Sequence, residues 1–322
     1  MGQIQTYGGV SKQVLAMLRG RGVRTPWGTV NYPTSRSLYV RSTGPMDGDP
    51  KEIINGGDFY TSIAAALDHT RSNAGDQVIV LPGHAETIST ADAWPNLKAG
   101  TNIVGWGQGN LRPSITWTAA AASVLFDRAN CHISNFRFFM AGSTSSVTAL
   151  TVAAPITVSA AGCGFHGIDA QVGVDNDQLV TKAITGTDGA TELEITDTMF
   201  YGATTAECTT VLEILGSHNL RMENVHIQAA TSSTTVGVMR LNATALLGGF
   251  VSGCTFINRK AASVHAVTGV ASSAGVVQDC NFGILDNLTL VGWQTKGDFM
   301  FYRCQTVNLT GETGAATTVV ST

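Results

Sequence analysis

Seven times in its second two thirds the chain repeats a six-residue phrase, and this repeat constrains the fold more than anything else in the sequence. It reads Ile133-Ser-Asn135-Phe136-Arg-Phe138, Ala160-Ala-Gly162-Cys163-Gly-Phe165, Ile195-Thr-Asp197-Thr198-Met-Phe200, Met222-Glu-Asn224-Val225-His-Ile227, Val251-Ser-Gly253-Cys254-Thr-Phe256, Val277-Gln-Asp279-Cys280-Asn-Phe282 and Phe301-Tyr-Arg303-Cys304-Gln-Thr306. From Phe136 to Cys163, Thr198, Val225, Cys254, Cys280 and Cys304 the steps are 27, 35, 27, 29, 26 and 24 residues. A period in the twenties without helical spacing marks a solenoid in which each repeat is one turn of the chain.

Within the phrase, the Asn, Asp or Gly tolerates the left-handed backbone of a tight corner, and apolar residues two apart then share one face of a short strand. One such unit cannot bury its own apolar face, so successive units must stack strand over strand, about 4.8 Å apart. The expectation is an all-β fold, a single-stranded right-handed parallel β-helix of about nine rungs. Its interior ladder would contain Cys163, Cys254, Cys280 and Cys304 beside Phe138, Phe165, Phe200, Phe256 and Phe282. The step of 35 implies a protruding insertion over 169–189, where Asp169, Asp175, Asp177 and Asp188 would face water.

Composition fits short strands and turns: 36 glycines, 13% charged residues and 43% hydrophobic residues among 322. The cysteines read as small buried hydrophobes of a reduced protein, since four share one phase of the repeat and no CxxC pair occurs. No secretion signal and no membrane-spanning apolar run is expected. Charge divides the chain instead. Lys12, Arg19, Arg21, Arg24, Arg36 and Arg41 precede the first acid, Asp47, whereas the remainder carries 13 basic and 23 acidic residues. Residues 1–45 are therefore read as an extended basic arm, with Arg19, Arg21, Arg24, Trp27, Arg36 and Arg41 as the residues that dock on an acidic protein partner rather than on nucleic acid.

Residues 46–92 read as a cap helix and first rung, 93–309 as the shaft and 310–322 as a polar tail. The helix would be capped by Asp58 and present Phe59, Ile63, Ala66 and Leu67 on one face, covering the open end of the solenoid. Phe59-Tyr-Thr-Ser-Ile63-Ala-Ala-Ala-Leu67, followed by Gly75-Asp-Gln-Val-Ile-Val-Leu-Pro-Gly83-His-Ala-Glu-Thr-Ile88, resembles the cap and first rung of pectate-lyase-like right-handed parallel β-helix proteins. With the repeated phrase, the resemblance extends over about 47–310. It implies the fold, and it implies membership of a group that includes polysaccharide lyases and hydrolases, bacteriophage tailspikes and non-enzymatic virion proteins.

Enzymes on such a scaffold need carboxylates brought together from neighbouring rungs. The corner residues Asn135, Gly162, Asp197, Asn224, Gly253, Asp279 and Arg303 include no adjacent acids, and the nearest approach to a dyad is Glu223 beside Asp197. The pattern Cys163-Gly-Phe-His166 lacks further ligands, and Gly105-x-Gly107-x-Gly109 reads as a turn rather than a phosphate loop. The sequence thus assigns no catalytic residue, no metal and no cofactor. The expected function is that of a non-enzymatic bacteriophage virion protein, a capsid decoration or cement protein. It would assemble in the host cytoplasm, sit on the capsid exterior as a homotrimer, contact the major capsid protein or other virion subunits, and bind neither nucleic acid nor membrane. The alternative is a tailspike module that binds or cleaves host polysaccharide, with Trp94, Trp106, Trp117 and Trp293 as sugar-stacking candidates.

Overall fold

A computed structural model describes residues 35–308 except 47–48, 50–57, 143–148, 176, 217–218, 242–247, 261–264, 270–272, 285–290 and 295–296. It also describes two small antiparallel pairs near the start of the chain, Thr6–Tyr7 with Val10–Ser11 and Arg24–Thr25 with Gly28–Thr29. The main body is a parallel β-solenoid of the right-handed type whose strands stack into three sheets. The first sheet runs from Ser37–Val40 through His132–Ser134 and Gly164–His166 to Asp298–Tyr302, and the second from Ala85–Ile88 to Gln305–Asn308. The third has seven strands, from Val124–Phe126 to Val291–Gln294. Among the described residues, no helix is long and apolar enough to cross a membrane.

There are about seven turns, not nine. The two expected rungs at the ends are incomplete. After Ala85–Ile88 the chain makes a loop, not a third-sheet strand, and buries Trp94 and Leu97 there; Trp94 packs edge-on against Phe126 at 6.2 Å. At the other end, Asp298–Tyr302 and Gln305–Asn308 add strands to the first and second sheets, and the described residues end there.

The corners are as the phrase demands, with one change of register. Asn135, Gly167, Asp197, Asn224, Gly253, Asp279 and Arg303 all have φ between 50° and 63°. Each of the first six donates its backbone N–H to a carbonyl of the next turn, from Asn135 to His166 at 2.8 Å through Asp279 to Tyr302 at 2.9 Å. In this column Gly167 stands where Gly162 was expected. Ile133 pairs with Phe165, and Phe165 with Ile195, so the second phrase is Phe165-His-Gly167-Ile168-Asp-Ala170. Gly162 belongs to a second left-handed column that opens the first-sheet strands: Gly75, Gly100, Asn130, Gly162, Glu192, Asn219 and Gly248, with φ from 57° to 76°. Both ends of these strands carry a left-handed corner next to apolar residues, which is why two registers fit one formula.

The correction moves three expected features. Cys163 is buried, but outside the column of Cys254, Cys280 and Cys304; its thiol lies beside Cys131 of the preceding turn. Phe165 fills the first-sheet interior and meets Phe126 edge-on at 5.1 Å, while Phe138, Phe200, Phe256 and Phe282 keep one second-sheet column. The insertion over 169–189 disappears, because Asp169–Gly173, Gln178–Val180 and Lys182–Gly186 are strands of the solenoid.

The cap helix is not sustained. Asp58 leads into a two-residue strand, Phe59–Tyr60, beside Tyr39–Val40, and among the described residues of the expected cap Ile63–Leu67 alone is helical, capped by Ser62. Beyond Leu67 the sequence Asp-His-Thr-Arg-Ser-Asn favours turns over helix. Thr70 Oγ1 donates to the Leu67 carbonyl, and Asn73 adopts a φ of 56°. The buried Asp76 carboxylate gathers this segment, accepting from the backbone N–H groups of Arg36 and Arg71 and from the Arg71 guanidinium. Burial alone would raise its pKa, but these hydrogen bonds hold it below the usual carboxylate value.

Candidate functional site on the outer face of the first sheet

In each first-sheet strand the residues flanking the buried lead position point outward, because side chains alternate across a strand. The register stacks them in two columns: Gln77, Asn102, His132, Gly164, Glu194 and Arg221 in one, and Ile79, Val104, Ser134, His166, Thr196 and Glu223 in the other. An open groove of 330 Å³ lies over their N-terminal half, lined by Gln77, Asn102, Ile103, Val104, His132, Ser134 and His166.

His132 and His166 meet at the end of this groove. Their ring planes are within 15° of parallel and the rings meet edge to edge, with centroids 5.4 Å apart and His132 Nδ1 3.1 Å from His166 Nε2. Gly164 permits the approach. A Cβ at that position would lie 2.3 Å from His132 Nδ1 and 2.5 Å from His166 Nε2. On the far side, His166 Nδ1 is 2.8 Å from Thr196 Oγ1. Glu194 follows Gly164 in the column, and its carboxylate completes a group whose ligand atoms all lie within 4.8 Å of one another. Burial lowers the pKa of both histidines below the ordinary imidazole value, which favours neutral rings with a lone pair available.

One turn further on, Arg221 takes two carboxylates. Its Nη1 donates to Glu194 Oε1 at 2.9 Å, while Nε and Nη2 donate to the two oxygens of Glu223, each at 3.0 Å. Glu223, the acid singled out from the sequence, is therefore held by a guanidinium through both of its carboxylate oxygens. Its expected companion Asp197 accepts instead from Asn224 Nδ2 at 2.8 Å. Asp279 forms an exposed pair with Arg303.

The other residues singled out from the sequence are dispersed. Arg41 is 6% exposed and bidentate on Asp49, at 2.8 and 3.0 Å, so its charge is used within the chain. Arg36 is exposed beside the strand Ser37–Val40, which makes the C-terminal part of the proposed arm a strand of the first sheet. Arg24 lies in one of the small antiparallel pairs; Arg19, Arg21 and Trp27 lie outside the described residues, as does the tail 310–322. Trp94, Trp117 and Trp293 are at most 2% exposed and belong to the core, whereas Trp106 is exposed. The Gly105–Gly109 segment is a turn held by Asn135, whose Nδ2 donates to the carbonyls of Gly105 and Gly107. Asp169 pairs with Arg112, and Asp175 accepts from the N–H groups of Asp177 and Gln178, so these acids stabilise local structure.

Sequence reasoning did not find His132, Gly164, Glu194 or Arg221. The usable signal was the outward position before each lead residue, but with the second phrase read out of register, His166 could not be placed beside His132. Comparisons with protein-family models, curated proteins and solved structures find no match.

Proposed function

We propose that the chain is a non-enzymatic structural protein of a bacteriophage virion: a homotrimeric decoration or cement protein, held on the capsid exterior by its basic N-terminal segment. The observation that carries the reading is the Arg221 clamp. Where two outer-face carboxylates of neighbouring turns come together, both are hydrogen-bonded to one guanidinium, whereas a glycosidase pair must be free to act on a bond between them. The burial of Trp94, Trp117 and Trp293 supports the same reading, since sugar-binding grooves need several exposed rings and Trp106 alone of the four candidates is exposed. The resemblance to the β-helix group supplies the virion context, and Lys12, Arg19, Arg21 and Arg24, with no acid before Asp47, supply a means of attachment to an acidic shell.

The test is sedimentation with purified phage capsids that lack decoration. The intact protein should co-sediment at saturating stoichiometry and occupy positions of local three-fold symmetry in reconstructions. Removal of residues 1–34 should abolish attachment while the solenoid stays folded. Attachment that survives the truncation, or release of reducing sugar from host polysaccharide that is lost in Glu223→Gln, would overturn the proposal in favour of the tailspike reading.

A further inference from the structure

Three successive turns each contribute one group to a single point on the outer face of the first sheet. His132 comes from the strand His132–Ser134, His166 from Gly164–His166, and Glu194 from Glu194–Thr196. The position between His132 and Glu194 in their column is Gly164, so no side chain fills the space into which all three converge. We propose that His132 Nδ1, His166 Nε2 and a carboxylate oxygen of Glu194 bind a transition-metal dication of the zinc class, tying three turns of the solenoid together.

Coordination geometry supports this assignment. Metal–nitrogen bonds of about 2.0–2.1 Å in a tetrahedral zinc site place neighbouring ligand atoms about 3.3 Å apart. The two imidazole nitrogens are 3.1 Å apart. Glu194 lies on the strand next to that of His166 with all ligand atoms within 4.8 Å of one another, so a small contraction of the group around an ion closes the third edge. Two imidazoles and a carboxylate favour zinc and its first-row neighbours over calcium or magnesium, which take oxygen ligands.

The surrounding groups meet the further requirements of such a site. Thr196 Oγ1 lies against His166 Nδ1, and by accepting that proton it leaves the Nε2 lone pair facing His132. Arg221 engages Glu194 through Oε1 at 2.9 Å, which fixes the carboxylate and leaves its second oxygen to the metal. The Arg221 charge is already balanced by its two bonds to Glu223, which limits its repulsion of a cation. Beyond the histidines lies the groove with Gln77, Asn102 and Ser134, so the fourth coordination position faces solvent.

The alternative is a plain N–H···N bond between two neutral imidazoles, and metal titration separates the two. Full-length protein stripped with chelator should bind one equivalent of Zn2+ in calorimetry, with micromolar or tighter affinity. Co2+ substituted at the site should give the intense visible bands of tetrahedral coordination. His132→Ala and His166→Ala should each weaken binding by more than about 100-fold, and Thr196→Val by about 10-fold. Gly164→Ala keeps every ligand but puts a methyl group into the ion's position, and it should also abolish binding. The exposed His226, changed to Ala, should have no effect. Zn2+ should raise the melting temperature of the wild type but not of the His132→Ala variant. Absence of Zn2+ binding by the wild type, or binding undiminished in the His132→Ala/His166→Ala double variant, would overturn the assignment.

Discussion

At the scale of single residues, the solenoid depends on positions where the backbone must turn left-handed. Gly253 is one, at φ 63°, and its neighbours in the column are Asn224 and Asp279. A Cβ on Gly253 would meet only the Asn224 nitrogen, at 3.9 Å, so conformation and not space decides what the site accepts. Gly253→Val should therefore destabilise the protein by about 2 kcal/mol, the left-handed penalty enlarged by β-branching. Asn224→Gly, at an equivalent corner, should change stability by less than about 0.5 kcal/mol. Chemical denaturation of both variants checks the contrast. Such corners were legible because Asn, Asp and Gly are the residues that tolerate them. Arg303, at φ 50°, was placed in the corner column by the repeat alone, since nothing in an arginine announces a left-handed backbone. The buried Asn258 was hidden. Its amide donates to the Thr231 hydroxyl and to the carbonyls of Val236 and His265, bracing the bend between second and third sheets, and it lies outside the repeated phrase.

At the scale of strands, the stacking partner matters more than the strand itself. Phe256 and Phe282 lie parallel at 5.6 Å and 9°, and Phe282 meets Trp293 of the third sheet edge-on at 6.1 Å. All three are fully buried, and Phe282→Ala would open a cavity that rigid neighbouring strands cannot collapse into. The expected cost is about 3–5 kcal/mol, read as a fall in the denaturation midpoint. Met199→Ala, on an outward position of the same sheet, should cost far less, because that side chain is already 42% exposed. The Phe138, Phe200, Phe256 and Phe282 column was legible because each ring follows a left-handed corner by three residues. Phe165 also follows a glycine corner by three, yet that corner opens the first-sheet strand instead of closing it. Local pattern alone cannot distinguish the two. Only the pairing of Ile133 with Phe165 and of Phe165 with Ile195 does, and this non-local fact also creates the histidine pair. The candidate site was therefore invisible for the same reason that one phrase was misplaced.

At the scale of the whole molecule, each turn touches little beyond the turns before and after it, so stability is close to a sum over turns and their interfaces. A complete turn should then be removable, provided that the cut joins equivalent positions. The turn from Val225 to Gly253 begins just after one left-handed corner and ends on the next. Deleting residues 225–253 joins Asn224 directly to Cys254, restoring corner, thiol and strand in the original phase. It also removes one strand from each sheet, so that Met199–Gly202 faces Thr255–Asn258, Thr210–Ile214 faces His265–Thr268, and Arg221–Glu223 faces Ala274–Gln278. The new neighbours suit the interior: Phe200 comes over Phe256, Leu212 over Val267 and Met222 over Val277. The deletion variant should fold cooperatively with unchanged β circular dichroism per residue and a melting temperature within a few degrees of the wild type. Deleting only 225–252 leaves Gly253 as one extra residue between corner and strand. That slip would turn Phe256 toward solvent and Thr255 toward the core, and the variant should be aggregated or unfolded. Equal behaviour of the two deletions would mean that stability does not reside in the vertical register of the turns.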